Sequence, residues 1–264
     1  MTEHSGPSTL RLEIEQVPVL ADNYVYLLHD HTTGATAAVD PSVAEPVLQR
    51  AAARGWTLTH VFNTHHHWDH TGGNEDIKRV TGAVVIGAAA DAERLPGLDV
   101  GLKDGDTVAF GSHQAIILAV PGHTRAHIAF WFSSEAALFP GDTLFSIGCG
   151  RLFEGSYAQM WHSLQRIRAL PDSTHVYCAH EYTLHNAAFA SIIDRKNRAL
   201  QRRFTEVKKL RQENRSTLPA LLGEEKTINP FLRADSPMLQ AAVGLANCDP
   251  VQVFAMIRRR KDSF

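Results

Sequence analysis

The segment Thr64-His65-His66-His67-Trp68-Asp69-His70 constrains this chain more than any other. It follows directly on Leu58 to Asn63, a run that reads as a buried strand. In extended backbone, residues two apart point to the same side. His65 and His67 can therefore grip one ion from a strand end, while His66 points away. Asp69 and His70 come where the chain turns and can reach a second ion nearby. Neutral imidazole and carboxylate are ordinary ligands for zinc and similar ions. The competing reading, a surface cluster of histidines, fits poorly with an internal HxHxDH pattern set directly after a β-run.

Three more pieces lie downstream, each at the end of an expected strand. Pro121-Gly122-His123-Thr124 follows Gln114 to Val120, Gly141-Asp142-Thr143 follows Ala136 to Phe139, and Ala179-His180-Glu181 follows Val176 to Cys178. Any one of them alone reads as a loop histidine or a turn aspartate. Together with the first cluster they supply seven candidate ligands: His65, His67, Asp69, His70, His123, Asp142 and His180. Strand ends are where an α/β sheet places its chemistry. Asp142 is the best candidate to bridge two ions. His127 opens a strand and reads as a supporting or structural residue. No role is assigned to His4, His29, His31, His60, His113, His162, His175 or His185.

Around these motifs the chain changes character near residue 180. Before it, short strands alternate with short helices. Leu12 to Val19, Tyr24 to Leu28, Ala35 to Val39, Ala83 to Ile86, Thr107 to Phe110 and His127 to Phe132 read as further strands. Ser42 is expected to cap a helix running to Arg54, and Ser156 another with Met160, Leu164, Ile167 and Leu170 on one face. After it, Leu184 to Asn214 has apolar residues near helical spacing and no breaker, and Pro237 to Ala246 and Pro250 to Arg260 read as helices. The expected organisation is an α/β catalytic domain over 1–180 and an all-helical domain over 181–264.

Charge follows the same division. Residues 1–180 hold 11 Lys/Arg against 19 Asp/Glu, a balance of −8; residues 181–264 hold 15 against 9, a balance of +6. A basic half suits an anionic ligand, but on charge alone a solvated basic helix is the favoured reading. The acidic balance of the catalytic part argues against a nucleic-acid substrate. The 264 residues contain 15 His but only 3 Cys, with no CxxC pair, so neither a disulfide framework nor a thiolate zinc site is expected. No apolar run is long enough to cross a bilayer. Met1 to Leu12 lacks a basic region followed by an apolar stretch, so no secretory leader is read there and a cytoplasmic protein is expected.

The combination of THxHxDH, PGHT, GDTLF and the late histidine resembles the metallo-β-lactamase superfamily, which implies an αββα sandwich. Gly148-Cys149-Gly150-Arg151-Leu152-Phe153-Glu154-Gly155, His180-Glu181-Tyr182-Thr183, Asn229-Pro230-Phe231-Leu232-Arg233 and Arg258-Arg259-Arg260-Lys261-Asp262 resemble hydroxyacylglutathione hydrolases (glyoxalase II). The similarity runs from Asp22-Asn23-Tyr24 to the end of the chain. It implies a first metal on His65, His67 and His123, and a second on Asp69, His70 and His180, with Asp142 bridging. The implied cofactors are two divalent ions, zinc first, with iron or manganese compatible. The implied reaction converts S-D-lactoylglutathione and water to D-lactate and glutathione, the second step of methylglyoxal detoxification. The nucleophile would be a metal-bridging hydroxide, with Asp69 and Asp142 as the catalytic carboxylates. Glutathione contacts would fall on Arg151, Tyr182, Arg258 and Lys261.

Three positions depart from the family pattern. Phe153 stands where a tyrosine is common, Arg151 where lysine is frequent, and Ala126 where glycine is frequent. The resemblance further implies a monomer that works on a small molecule, without nucleic acid or membrane. Rival readings are a one-iron dioxygenase acting on glutathione persulfide, a nuclease or phosphodiesterase on the same metal site, and a non-catalytic metal-binding domain.

Overall fold

A computed structural model describes residues 12–264. The reading of Met1 to Leu12 as carrying no leader falls, but for Leu12, outside that range, as does His4. The strands of the first sheet are β1 (Glu13–Val19), β2 (Asn23–His29), β3 (Thr36–Val39), β4 (His60–Phe62), β5 (Val84–Ala88) and β6 (Val100–Leu102), in that spatial order. The hairpins β1–β2 and β2–β3 are antiparallel, and β3 to β6 run parallel. Helices α1 (Glu45–Ala53), α2 (Trp68–Thr71) and α3 (Asn74–Thr81) fill the crossovers.

The second sheet holds β7 (Thr107–Phe110), β8 (His113–Ala119), β9 (Ile128–Phe132) and β10 (Ala137–Phe139) as an antiparallel meander. A two-residue hairpin, β11 (Leu144–Phe145) with β12 (Gly148–Cys149), and helix α4 (Tyr157–Arg168) come next. Strand β13 (His175–Val176) then joins β10 in parallel. The C-terminal part contains α5 (Thr183–Ile193), α6 (Arg198–Gln212), the short strand β14 (Ala220–Leu221), α7 (Leu222–Ile228), α8 (Pro237–Ala242) and α9 (Pro250–Asp262). It is helical as expected, except that β14 pairs with β13 and extends the second sheet by one strand.

Alternation along the strands builds the layers. In β2, Tyr24, Tyr26 and Leu28 face the core between the sheets, while Val25 and Leu27 face the core under α1 and α3. Val61 and Phe62 divide in the same way, as do Val85 and Ile86. A sheet buried on both faces needs near-continuous hydrophobic runs, which these strands have. Phe62, Phe110, Phe130, Phe132 and Phe139 are fully buried between the sheets. Each contributes roughly 2 to 3 kcal/mol by leaving water. On the outer face of the second sheet, α4 buries Met160, Leu164 and Ile167, and α9 packs against it. The result is the αββα sandwich with a helical extension.

Two local expectations are corrected. Ser42 does not cap α1, whose N-cap is Ala44 with Pro46 in the first turn. Ser42 Oγ instead donates to the carbonyl of Asp69, tying the end of β3 to the metal-motif loop. Leu184 to Asn214 is not continuous: the helix stops at Asp194 and restarts after Asn197. Arg233 pairs with the buried Asp194, and Asn197 accepts from the Leu200 N–H as an N-cap. A tertiary ion pair and a cap thus break a run that propensity alone leaves intact. Ser156, by contrast, caps α4 with a full capping box to Gln159.

Candidate active site

The C-terminal ends of β4, β8, β10 and β13 converge on one edge of the sandwich, and each delivers one of the motif loops. His65, His67 and His123 meet first. His65 Nε2 lies 3.1 Å from His67 Nδ1, and His123 Nε2 lies 3.0 Å from the same atom. A second cluster joins His70, His180 and Asp69. His70 Nε2 and His180 Nε2 are 3.3 Å apart, and each is 3.6 Å from Asp69 Oδ2. Asp142 stands between the clusters. Its Oδ1 is 3.3 Å from His70 Nε2 and 3.4 Å from His180 Nε2, and its Oδ2 is 3.4 Å from His123 Nε2. All seven sequence candidates are therefore brought together.

The outward nitrogens show which ring atoms are free. The Thr64 backbone N–H and hydroxyl both donate to Asp40, so the Thr64 oxygen is left to accept from His65 Nδ1, 3.0 Å away. His70 Nδ1 donates to Asp40 Oδ2 at 3.1 Å, His123 Nδ1 to the Arg151 carbonyl at 2.8 Å, and His180 Nδ1 to Asp22 Oδ1 at 2.9 Å. With Nδ1 carrying the proton, the four Nε2 lone pairs point inward at one another. Converging lone pairs suit a cation among them, and an acceptor behind a ligating histidine, here a carboxylate for His70 and His180 and a carbonyl for His123, is the usual support of a metal site. Asp142 Oδ1 is buried and has no hydrogen-bond partner among the described residues, which is an unfilled acceptor beside the second cluster. The donor set suits a dinuclear metal site.

Electrostatics agree with neutral imidazoles at the first cluster. Burial and the neighbouring histidines lower His65 well below the ordinary range, and burial together with His123 lowers His67 to about 4. At the second cluster, burial alone would lower His70, but Asp142, Asp40 and Asp69 raise it to about 9. The carboxylates there concentrate negative charge that suits a divalent cation.

Asp40 and Asp22 are the residues sequence reading missed. Asp40 is buried, with φ at 51°, a strained conformation for a non-glycine residue. Its oxygens are occupied by Thr64 and His70, so it supports ligands rather than joining them. The only sign in the sequence is its place at a strand end before Pro41. His127, as expected, is a support: its Nε2 accepts the Asp142 N–H at 3.1 Å, and its ring stacks on His65. His66 points away and bonds Asp91. Gly141 has φ +48°, and a Cβ there would collide with Thr64 and His127, so the turn that presents Asp142 requires glycine. Glu181 is no ligand; it accepts from the Thr217 N–H and hydroxyl and from the Tyr24 hydroxyl, fastening the C-terminal part beside His180.

A cavity of about 630 Å³ opens over the donors, and its lining includes Arg151, Tyr182, Arg258 and Lys261. The four sequence-expected substrate contacts thus line the same cavity as His67, Asp69, His123, Asp142 and His180. Arg258 is buried, donates to the Cys149 carbonyl at 2.8 Å and pairs with Asp262. Lys261 Nζ is buried and has no hydrogen-bond partner among the described residues. Burial, with Arg258 and Arg151 nearby, lowers Lys261 to about 8. The Tyr182 ring stacks on His180 at 4.7 Å, and burial raises its hydroxyl well above the usual range, so it stays a neutral donor.

Residues 22–180 match the metallo-beta-lactamase superfamily, and residues 181–264 match the hydroxyacylglutathione hydrolase C-terminus. A hydroxyacylglutathione hydrolase of Methylococcus capsulatus is 60% identical over 96% of this chain and 99% of its own. The chain belongs to the hydroxyacylglutathione hydrolase family. A second relative of that name, from Rhodospirillum rubrum, is 57% identical over 96% of this chain and 99% of its own. Among solved structures, a metallo-beta-lactamase from Staphylococcus aureus superposes with a TM-score of 0.65 at 20% identity, covering 96% of this chain and 72% of that one. That likeness concerns the fold alone. Among the described residues, no helix is long and apolar enough to cross a membrane.

Proposed function

We propose that this chain hydrolyses the thioester of S-D-lactoylglutathione to D-lactate and glutathione, with two divalent ions in the paired clusters. One observation carries the reading: two donor clusters joined by a carboxylate line the same cavity as a buried ammonium with no hydrogen-bond partner among the described residues. The first ion would sit on His65, His67 and His123, the second on Asp69, His70 and His180, with Asp142 shared. Zinc is the expected occupant, and the imidazole and carboxylate donors also take iron or manganese. When bound, such ions lower the pKa of a water and polarise a carbonyl oxygen. The second cluster favours this reading over a one-iron oxygenase, in which Asp69, His70 and His180 would not jointly be needed.

The chain's own residues do the rest. Arg258 and Lys261, one helical turn apart on α9, hold a carboxylate of the glutathione moiety, and Arg151 adds a third cation. Tyr182 donates its hydroxyl. Asp69 and Asp142, the catalytic carboxylates of this reading, would accept hydrogen bonds from the attacking water and fix its direction. The leaving thiolate comes from a thiol of pKa about 8.5, so it departs unprotonated and no general acid is needed. In this reading residues 1–180 perform the chemistry and 181–264 hold glutathione, in the cytoplasm. Arg259 faces outward over Tyr157, so Arg259→Ala should change substrate KM little.

The decisive assay follows thioester absorbance with S-D-lactoylglutathione and measures metal in the same sample. About two ions per chain and metal-dependent turnover are expected. A fully metallated sample inert to this thioester would end the reading. The supports are testable separately: Asp40→Ala should weaken metal affinity by about 10- to 100-fold, the range for removing a carboxylate behind a ligating histidine. Competition against a chelator measures it, and unchanged affinity would remove Asp40 from the support role.

A further inference from the structure

Glu225, on α7, is a carboxylate that the mechanism above does not use. It is 1% exposed, and no cation pairs with it among the described residues. Burial raises its carboxyl to about 7, against the lowering effect of three donors. Ser146 Oγ donates to Oε1 at 2.8 Å, the Ile147 N–H to Oε2 at 2.8 Å, and Asn229 Nδ2 to Oε2 at 3.0 Å. An acid buried without a cation is costly, and its hydrogen bonds are what offset that cost. Two of these three bonds come from the tip of the β11–β12 hairpin, in the catalytic part of the chain.

The tip is a segment that needs holding. Ile147 has φ at 57°, an outlier for a β-branched residue. Such a conformation persists only where the surroundings over-determine it. The Ile147 side chain is fully buried with Ala187, Ala190, Leu200 and Ile228, a core built from the helical part. The hairpin is therefore a finger of the catalytic part locked into the helical part. It also carries the site. Asp142 lies just before it and Arg151 just after. The Phe145 ring packs edge-on against His180 and Tyr182, at 5.7 and 5.2 Å between centroids, and the Cys149 carbonyl accepts from Arg258.

We propose that Glu225 is a positioning residue for the reaction: by gripping the hairpin tip it fixes Asp142 relative to His180, and the Cys149 carbonyl relative to Arg258. This rests on the thioester hydrolase reading. The grip depends on hydrogen-bond geometry and not on charge. A glutamine can repeat it, with its oxygen accepting from Ile147 and Asn229 and its amide nitrogen donating to the Ser146 hydroxyl.

The experiment compares wild type with Glu225→Ala, Glu225→Gln, Ser146→Ala and the double alanine variant. Folding is followed by circular dichroism, and kcat and KM for S-D-lactoylglutathione are taken per metal-loaded protein. Glu225→Ala should lose about a hundredfold in kcat/KM, the scale of a misplacement of about 1 Å, with kcat lowered and KM raised together. Glu225→Gln should recover most of that loss. Ser146→Ala should lose about three- to tenfold, the equivalent of one hydrogen bond. The double variant should be no worse than Glu225→Ala, because both changes cut the same tie. A glutamate that only supports the fold would lower stability in Glu225→Ala and leave kcat and KM of the folded, metal-loaded protein at wild-type values; that result overturns the proposal, as does a Glu225→Gln no better than Glu225→Ala. If Glu225→Ala does not fold or load metal, wild-type kinetics in Ser146→Ala overturn it. A metal-loaded wild type inert to the thioester instead overturns the hydrolase reading, and the positioning role with it.

Discussion

Asp142→Ala is expected to lose most of its bound metal and at least about a thousandfold in kcat/KM, the equivalent of roughly 4 kcal/mol of transition-state stabilisation. Asp142 stands between the two clusters. Its two oxygens stand 3.3 to 3.4 Å from the ring nitrogens of His70, His180 and His123. Burial alone would raise this carboxyl, yet His70 and His180 hold it well below the ordinary range, so it is an anion in place to join two cations. Removing it leaves five imidazoles and one carboxylate, so far less negative charge would offset the repulsion between two divalent ions. Asp142→Asn keeps the shape and one oxygen but not the charge, so it should retain more metal than the alanine variant. Metal analysis and thioester assay on one sample, with circular dichroism to verify folding, give the answer. Full metal content with normal turnover in Asp142→Ala would eliminate the bridging role.

The site was legible in the sequence for a physical reason. Its donors are short-range patterns at strand ends, where period-two geometry and a following turn fix direction without knowledge of the tertiary fold. Asp40 and Asp22 carry no such pattern. Asp40 reaches Thr64 and His70 across 24 and 30 residues, and Asp22 reaches His180 across 158, so only the paired strands reveal them. The same limit explains the misread elements. Ser42 has the right residue type for a cap, but its hydroxyl is claimed by Asp69. The break at Asp194 depends on Arg233, well outside any local window. Strand β6 and strand β14 are two or three residues long and exist because a neighbour offers hydrogen bonds, not because their own sequence insists on it. The charge asymmetry between the parts could not separate a solvated helix from a ligand site. What separates them is burial: Arg258 and Lys261 are buried while Arg259 and Arg260 are exposed.

Lys261→Met is expected to make the unliganded protein more stable and substrate binding weaker. Lys261 is 8% exposed, and its buried ammonium has no hydrogen-bond partner among the described residues, with Arg258 and Arg151 close enough to repel it. A buried cation in that setting costs free energy unless an anion arrives. Its folded pKa of about 8 lies below the ordinary lysine value of 10.5, so the folded state binds fewer protons than the unfolded state between those limits. Stability contributed by this group therefore rises as pH increases from about 8 to about 10.5, and below pH 8 the charged lysine is destabilising. Methionine has a similar length and no charge, so at pH 7 it should raise stability by roughly 1 to 3 kcal/mol, and the gain should vanish above about pH 10.5. Binding should move in the opposite direction. A glutathione carboxylate beside Lys261 would provide the missing partner, and its loss should raise KM about 10- to 100-fold, as for a charge-assisted hydrogen bond. In wild type, KM should climb as pH passes about 8 and the ammonium loses its proton; in Lys261→Met that step should be absent. Arg258→Ala should weaken binding too, but without the gain in stability, because Arg258 already bonds Cys149 and Asp262. Denaturant melts across pH 7 to 11, paired with KM at the same pH values, measure both sides. If Lys261→Met were less stable than wild type at pH 7 with an unchanged KM, the lysine would be a packing residue and the carboxylate clamp would have to be sought elsewhere.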